Sequence, residues 1–234
     1  MLSVRSLHAR YGALSVLFGV DIELGEGETL ALIGANGAGK STTFGVVCGL
    51  LPASAGEVRL AGRSLSGLSS QQIVSDGLIM VPEGRKLFAS LSVEENLLVG
   101  AYCRRGGPWT LGRIYDLFPT LKELRRRPSS ALSGGQQQLV AIGRALMGNP
   151  AVLLCDELSL GLSPLAVDTV YAGLRQVRTG GVSIIVVEQD IGRALAESDS
   201  FACMRHGRIV LSGASRGSNR AAISSAYFGT DAHD

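Results

Sequence analysis

Apolar residues fall along this chain in three kinds of pattern, and each predicts a different element. Near the start they alternate with polar ones: Leu2 and Val4, then Ile22 and Leu24 set against Asp21 and Glu23, which predicts two or three half-buried strands before residue 25. Elsewhere they run unbroken over four or five positions. Leu30-Ala31-Leu32-Ile33, Gly77-Leu78-Ile79-Met80-Val81 (stopped by Pro82) and Ala151-Val152-Leu153-Leu154-Cys155 predict buried strands of an α/β sheet. Helical spacing marks Thr43 to Leu50, the stretch from Ser92 through Leu98, Leu111 to Arg127, and a helix after Ser133 with Leu139, Ile142, Leu146 and Met147 on one side.

Turn chemistry fills the gaps. Gly25-Glu26-Gly27-Glu28 feeds the Leu30 strand, and Ala53 to Gly67 surrounds Glu57-Val58-Arg59-Leu60, a surface hairpin strand. Ser92-Val93-Glu94-Glu95 has capping-box spacing, and Arg104 to Pro108 interrupts the helices on either side. Arg125-Arg126-Arg127 reads as a solvated helix C-terminus. Residues 84–147 are therefore expected to form an inserted helical subdomain within one domain spanning residues 1–234.

Composition narrows the class. A chain of 234 residues is long enough for a large single core. Lysine plus arginine number 22 against 20 acids, which argues against a nucleic-acid surface. No apolar run approaches the roughly 20 residues that span a bilayer, and Arg5, His8 and Arg10 interrupt any signal-peptide pattern. The expected location is cytoplasmic, with high hydropathy suggesting a hydrophobic partner. Cys48, Cys103, Cys155 and Cys203 show no metal or disulfide spacing, and all but Cys103 sit in apolar surroundings.

The chemistry concentrates behind two of the buried strands. Gly34-Ala35-Asn36-Gly37-Ala38-Gly39-Lys40-Ser41-Thr42 fits G-x-x-x-x-G-K-[ST] between a strand and a helix, the context that a phosphate-binding loop requires. Its glycines let successive N–H groups turn inward around an anion, and the helix N-terminus adds its own. Lys40 is placed to reach the β- and γ-phosphates and Ser41 to ligate Mg²⁺. Asp156 and Glu157 end the Ala151 strand: Asp156 is suited to hold Mg²⁺ and Glu157 to orient and deprotonate an attacking water. The pairing predicts nucleotide hydrolysis.

Two further features are less direct. Tyr11 precedes the phosphate-binding strand and either stacks on a base or packs at a strand end; spacing does not separate the two. Leu132-Ser133-Gly134-Gly135-Gln136 sets S-x-x-Q capping spacing at a helix start, a second anion site. That helix spans roughly 20 Å at 1.5 Å per residue and leads straight into the Ala151 strand. The serine end is thus expected far from that strand, in a site that another chain completes.

Taken in order, the phosphate loop, the LSGGQ-type signature at 132–138 and the Asp-Glu strand end resemble the ATP-binding subunit of an ABC transporter over essentially the whole chain. The resemblance implies a P-loop NTPase fold: a RecA-like α/β core, an N-terminal antiparallel β subdomain and a helical subdomain. It implies ATP and Mg²⁺ as ligands, Tyr11 stacking on adenine, and a head-to-tail dimer with a second ABC ATPase or a second copy. In that dimer Ser133, Gly134 and Gly135 contact the partner's γ-phosphate. Glu83 stands where the family has Gln, adding an anion near Mg²⁺; Gln189 takes the usual His switch position; Leu158 replaces the Pro after the catalytic Glu. With Ser159-Leu160-Gly161-Leu162-Ser163-Pro164 and Ala226-Tyr227-Phe228-Gly229, these variants are similar to one ATPase of the high-affinity branched-chain amino acid importer. Its partners are two membrane permease chains and, indirectly, an external solute-binding protein, on the cytoplasmic face of the plasma membrane. A urea or amide importer ATPase, or a soluble ABC-type ATPase, remains as an alternative; a P-loop kinase leaves the signature unexplained.

Overall fold

The computed structural model describes residues 1–229. The first hairpin joins β1 (Leu2–Tyr11) to β2 (Leu14–Leu24) antiparallel, with Leu2 opposite Leu24 and Val4 opposite Ile22. β4 (Ala55–Leu60) pairs with the other edge of β1, and the short β5 (Arg63–Ser64) pairs with β4, giving the order β2-β1-β4-β5. The predicted surface hairpin is therefore a sheet component, with Val58 and Leu60 buried.

A second sheet has the order β10-β9-β3-β8-β7-β6. Its strands β3 (Thr29–Ile33), β6 (Leu78–Val81), β7 (Val152–Asp156), β8 (Ser183–Glu188) and β9 (Ser200–Arg205) run parallel, and β10 (Arg208–Ala214) returns antiparallel to β9. Alternate side chains of the parallel strands feed two cores. Leu30, Leu32, Val152 and Leu154 face the small sheet, together with α1 (Lys40–Val47) and Ile73 of α2 (Ser70–Asp76). Ala31, Ile33, Leu153 and Cys155 face the opposite layer of helices. Burial on both faces is why these strands read as continuous apolar runs.

That opposite layer holds α3 (Val93–Val99), α4 (Leu111–Leu117), α5 (Pro119–Glu123), α6 (Gly134–Leu146) and α7 (Pro164–Thr179), with α8 (Ile191–Ala196) and α9 (Arg220–Phe228) further on. The helix expected over 111–127 is two short ones. Phe118 takes φ −129, ψ 77 ahead of Pro119, because a proline ring disfavours helical geometry in the residue before it. Capping boxes start α3 at Ser92 and α6 at Ser133. Cys48, Cys155 and Cys203 are buried and Cys103 is half-buried, all as free thiols. No helix among the described residues is long and apolar enough to cross a membrane.

Candidate nucleotide site

The parallel strands β3, β7 and β8 end at one level: Ile33 pairs with Glu188, and Asp156 with Val187. The three loops that leave them converge there, as sites in open α/β sheets do. With the loop after β6 they enclose a cleft of about 480 Å³ whose wall includes Asn36, Lys40, Ser41, Glu83, Glu157 and Gln189. A cleft of about 550 Å³ beside the C-terminal end of α1 is larger, but no charged side chain lines it.

The loop at 34–39 is held from below. Ala38 accepts a hydrogen bond at its carbonyl from the Gly207 N–H at 2.8 Å, which ties the loop to the β9–β10 turn. Gly34 packs so closely on the Met204 carbonyl that any Cβ would collide with it. Gly39 caps α1 at φ 110, a conformation that side chains resist, with Met204 and Leu17 filling the space a Cβ would need. Ala35, Asn36 and Gly37 are exposed, and Asn36 and Gly37 line the cleft.

Lys40 is buried and folds back over the loop, its Nζ donating to the carbonyls of Gly34 at 2.6 Å and Ala35 at 3.1 Å. Burial lowers its pKa, and the carboxylates of Glu157, Asp156 and Glu83 oppose that by favouring the charged form. Asp156 is pushed up to about 6, chiefly by burial; the Ser41 hydroxyl pulls it back, while Glu157 and Glu83 push it further. Its Oδ1 is buried and has no hydrogen-bond partner among the described residues. An orphaned buried carboxylate oxygen beside a serine hydroxyl fits Mg²⁺ or one of its waters. Among the described residues no group of three or more His, Cys, Asp and Glu forms a metal site.

Glu157 has φ 47, left-handed backbone that costs a non-glycine residue about 1–2 kcal/mol and is often found at functional sites. Its Oε1 accepts from Gln189 Nε2 at 3.0 Å, and the same nitrogen donates to Asn36 Oδ1 at 3.1 Å. Gln189 thus bridges the phosphate loop to the carboxylate. Leu158 is buried in the helical-side core, which gives its bulk a packing role.

Two expected site features stand outside this cleft. Tyr11 ends β1 at the hairpin tip, half exposed, and does not line it; Val16 on β2 does. Ser133, Gly134 and Gly135 begin α6 and also lie off the cleft wall, with Gly134 against Arg85 and Gly135 against Ala166. The loop after β6 connects the two regions. Arg85 donates to Gln137 at 3.2 Å and Gln138 at 3.3 Å, and Arg144 donates to the carbonyls of Arg85 at 2.9 Å and Lys86 at 2.8 Å. These contacts join positions more than 50 residues apart in sequence, and the residue pattern does not reveal them.

Known proteins resemble this chain in sequence and fold. The family profile described as ABC transporter matches residues 17–159. The high-affinity branched-chain amino acid transport ATP-binding protein BraG of Pseudomonas aeruginosa is 41% identical, over 90% of this chain and 91% of its own length. The probable branched-chain amino acid transport ATP-binding protein LivF of Archaeoglobus fulgidus is 32% identical over 91% and 92%. A nucleotide-free ATP-binding cassette from an ABC transporter superposes with a TM-score of 0.83 at 26% identity, over 92% of this chain and 91% of that one. On profile, sequence and fold alike, this chain belongs to the ABC transporter family, as one of its ATPases.

Proposed function

We propose that the chain is the ATPase subunit of an importer for branched-chain amino acids, working at the cytoplasmic face of the membrane with two permease chains and an external solute-binding protein. The substrate assignment draws on the 41% identity to BraG over nearly the full length of both proteins. In this reading the loop Gly34–Thr42 cradles the ATP phosphates, Lys40 neutralises them, and Glu157 deprotonates the attacking water with Gln189 holding its carboxylate. Ser41 and Asp156 would hold Mg²⁺, which supplies charge neutralisation at the phosphate oxygens, with Glu83 as an added anion nearby. Residues 84–147 act as a helical subdomain carrying the signature.

The observation that carries the reading is the split between the two anion sites. Lys40, Glu157 and Gln189 share one cleft, and the Ser133–Gly135 helix start lies off it. A second cassette, alike or related, turned head to tail would bring its own Ser133, Gly134 and Gly135 to that cleft, and ATP would close the pair. Tyr11, exposed at the β1–β2 turn, is the adenine contact in this reading. The test is twofold. Glu157→Gln should lower steady-state ATPase turnover about 100-fold or more while ATP binding persists, and Lys40→Ala should lose ATP binding. Affinity purification from detergent-solubilised membranes of the native host should recover two multi-span chains and a second ATPase; recovery of this chain alone would refute the importer role.

A further inference from the structure

Glu188 ends β8 with its side chain fully buried, 2% exposed, one residue before Gln189. A buried carboxylate is costly unless both oxygens are satisfied. Here each oxygen accepts from one hydroxyl: Oε2 from Ser159 Oγ at 2.6 Å, and Oε1 from Tyr171 OH at 2.5 Å. Ser159 lies two residues beyond Glu157, and Tyr171 is buried on α7. Both partners are neutral, so the arrangement is no simple ion pair. What the carboxylate adds is acceptor-only character at both oxygens, which fixes both hydroxyls as donors. A glutamine in its place would set an NH₂ donor against one of the two hydroxyls, which would then have to accept.

The location gives this network its meaning. Glu157 sits in left-handed backbone, which persists only where the surroundings over-determine it. On one side Asp156 is fixed in the β7–β8 ladder opposite Val187. On the other, Leu158 is buried and Ser159 is latched to Glu188. The Glu157 carboxylate itself is held by Gln189. Two consecutive residues at the end of β8 therefore grip the Glu157 segment twice, once by its side chain and once by the loop that follows.

We propose that Glu188 is a positioning residue for ATP hydrolysis: through the Ser159 hydroxyl, with Tyr171 as the second anchor, it holds Glu157 in the backbone conformation that aims its carboxylate. This rests on the reading of Glu157 as the general base. None of the three network residues lines the nucleotide cleft, so their loss acts on turnover and not on ATP affinity.

The experiment compares Ser159→Ala, Ser159→Thr, Tyr171→Phe and Glu157→Gln in the purified full-length protein, with MgATPase kinetics and thermal melts on each. Losing one charge-assisted hydrogen bond that matters in the transition state corresponds to roughly a ten-fold fall in kcat. Ser159→Ala should show that fall with KM for ATP within about two-fold of wild type, Ser159→Thr should restore kcat to within about two-fold, and Tyr171→Phe should lower kcat in the same way. Wild-type kcat per folded molecule in Ser159→Ala, with only the melting temperature reduced, would overturn the proposal, as would a rise in KM at constant kcat. Should Ser159→Ala fail to fold, Tyr171→Phe decides by the same criteria. Wild-type turnover in Glu157→Gln would bring down the base assignment first; silence there, with normal turnover in Ser159→Ala, would bring down this inference alone.

Discussion

The raised pKa of Asp156 makes the cleft a place where stability has been given up, and Asp156→Asn measures how much. The folded protein holds this carboxyl's proton up to about 6, against an ordinary value of 3.8. The unfolded chain releases its proton first, so between those values the folded state binds more protons and stability falls as pH rises. The group's contribution is complete below about pH 4 and is lost as pH passes through about 6. The gap of roughly 2 pH units at 1.36 kcal/mol each gives about 3 kcal/mol of destabilisation at neutral pH. Asparagine keeps the oxygen that accepts from Ser41 and carries no charge, but it deprives Lys40 of one favourable carboxylate, so about 2 kcal/mol should be recovered. For a chain of this length that is about 4–8 °C in melting temperature. Scanning calorimetry with EDTA and no nucleotide should find Asp156→Asn more stable at pH 7.5, with the difference closing by pH 4, while MgATP should stabilise wild type far more than the variant. A variant no more stable than wild type at pH 7.5, or a gain of equal size at pH 4, would refute the account.

Two other outcomes follow from hydrogen bonds at the cleft's supporting loops. Asn96 is fully buried; its Nδ2 donates to the carbonyls of Phe88, Leu91 and Ser92, and its Oδ1 accepts from the Phe88 N–H. Asn96→Ala should cost about 3 kcal/mol in urea denaturation, since it strands loop backbone groups away from water. Arg144→Ala removes the clasp on the carbonyls of Arg85 and Lys86, so amide hydrogen exchange across residues 83–88 should accelerate at least ten-fold with little change in β6.

Much of the candidate cleft's lining was legible in the sequence because its parts are local. The phosphate loop is nine consecutive residues between a strand and a helix, and Asp156-Glu157 closes an apolar run. Each carries its own context. The break at Phe118-Pro119 was also written in the sequence, in the proline that the helical periodicity of 111–127 masked. What was hidden is contact between distant positions: Gln189 to Asn36 across 153 residues, Arg144 to Arg85 across 59, Ser159 to Glu188 across 29. A polar side chain that answers another so far away leaves no period. The added turn between β9 and β10, which props the phosphate loop through Gly207, was hidden for the same reason.

Those distant contacts decide how the local motifs act together. Glu83 stands in the cleft wall, and only two residues later the chain is clamped to α6 by Arg85 and Arg144. α6 starts at Ser133 to Gly135, which lie off the wall of this cleft. A short loop fixed at both ends transmits displacement instead of absorbing it. In the proposed head-to-tail pairing, a displacement of Glu83 would pass through this clasp to the Ser133–Gly135 helix start. Glu188 and Gln189 do the corresponding work on the opposite wall, where they tie Glu157 to the phosphate loop. The motifs supply the chemistry; the polar contacts between them hold its parts together at one cleft.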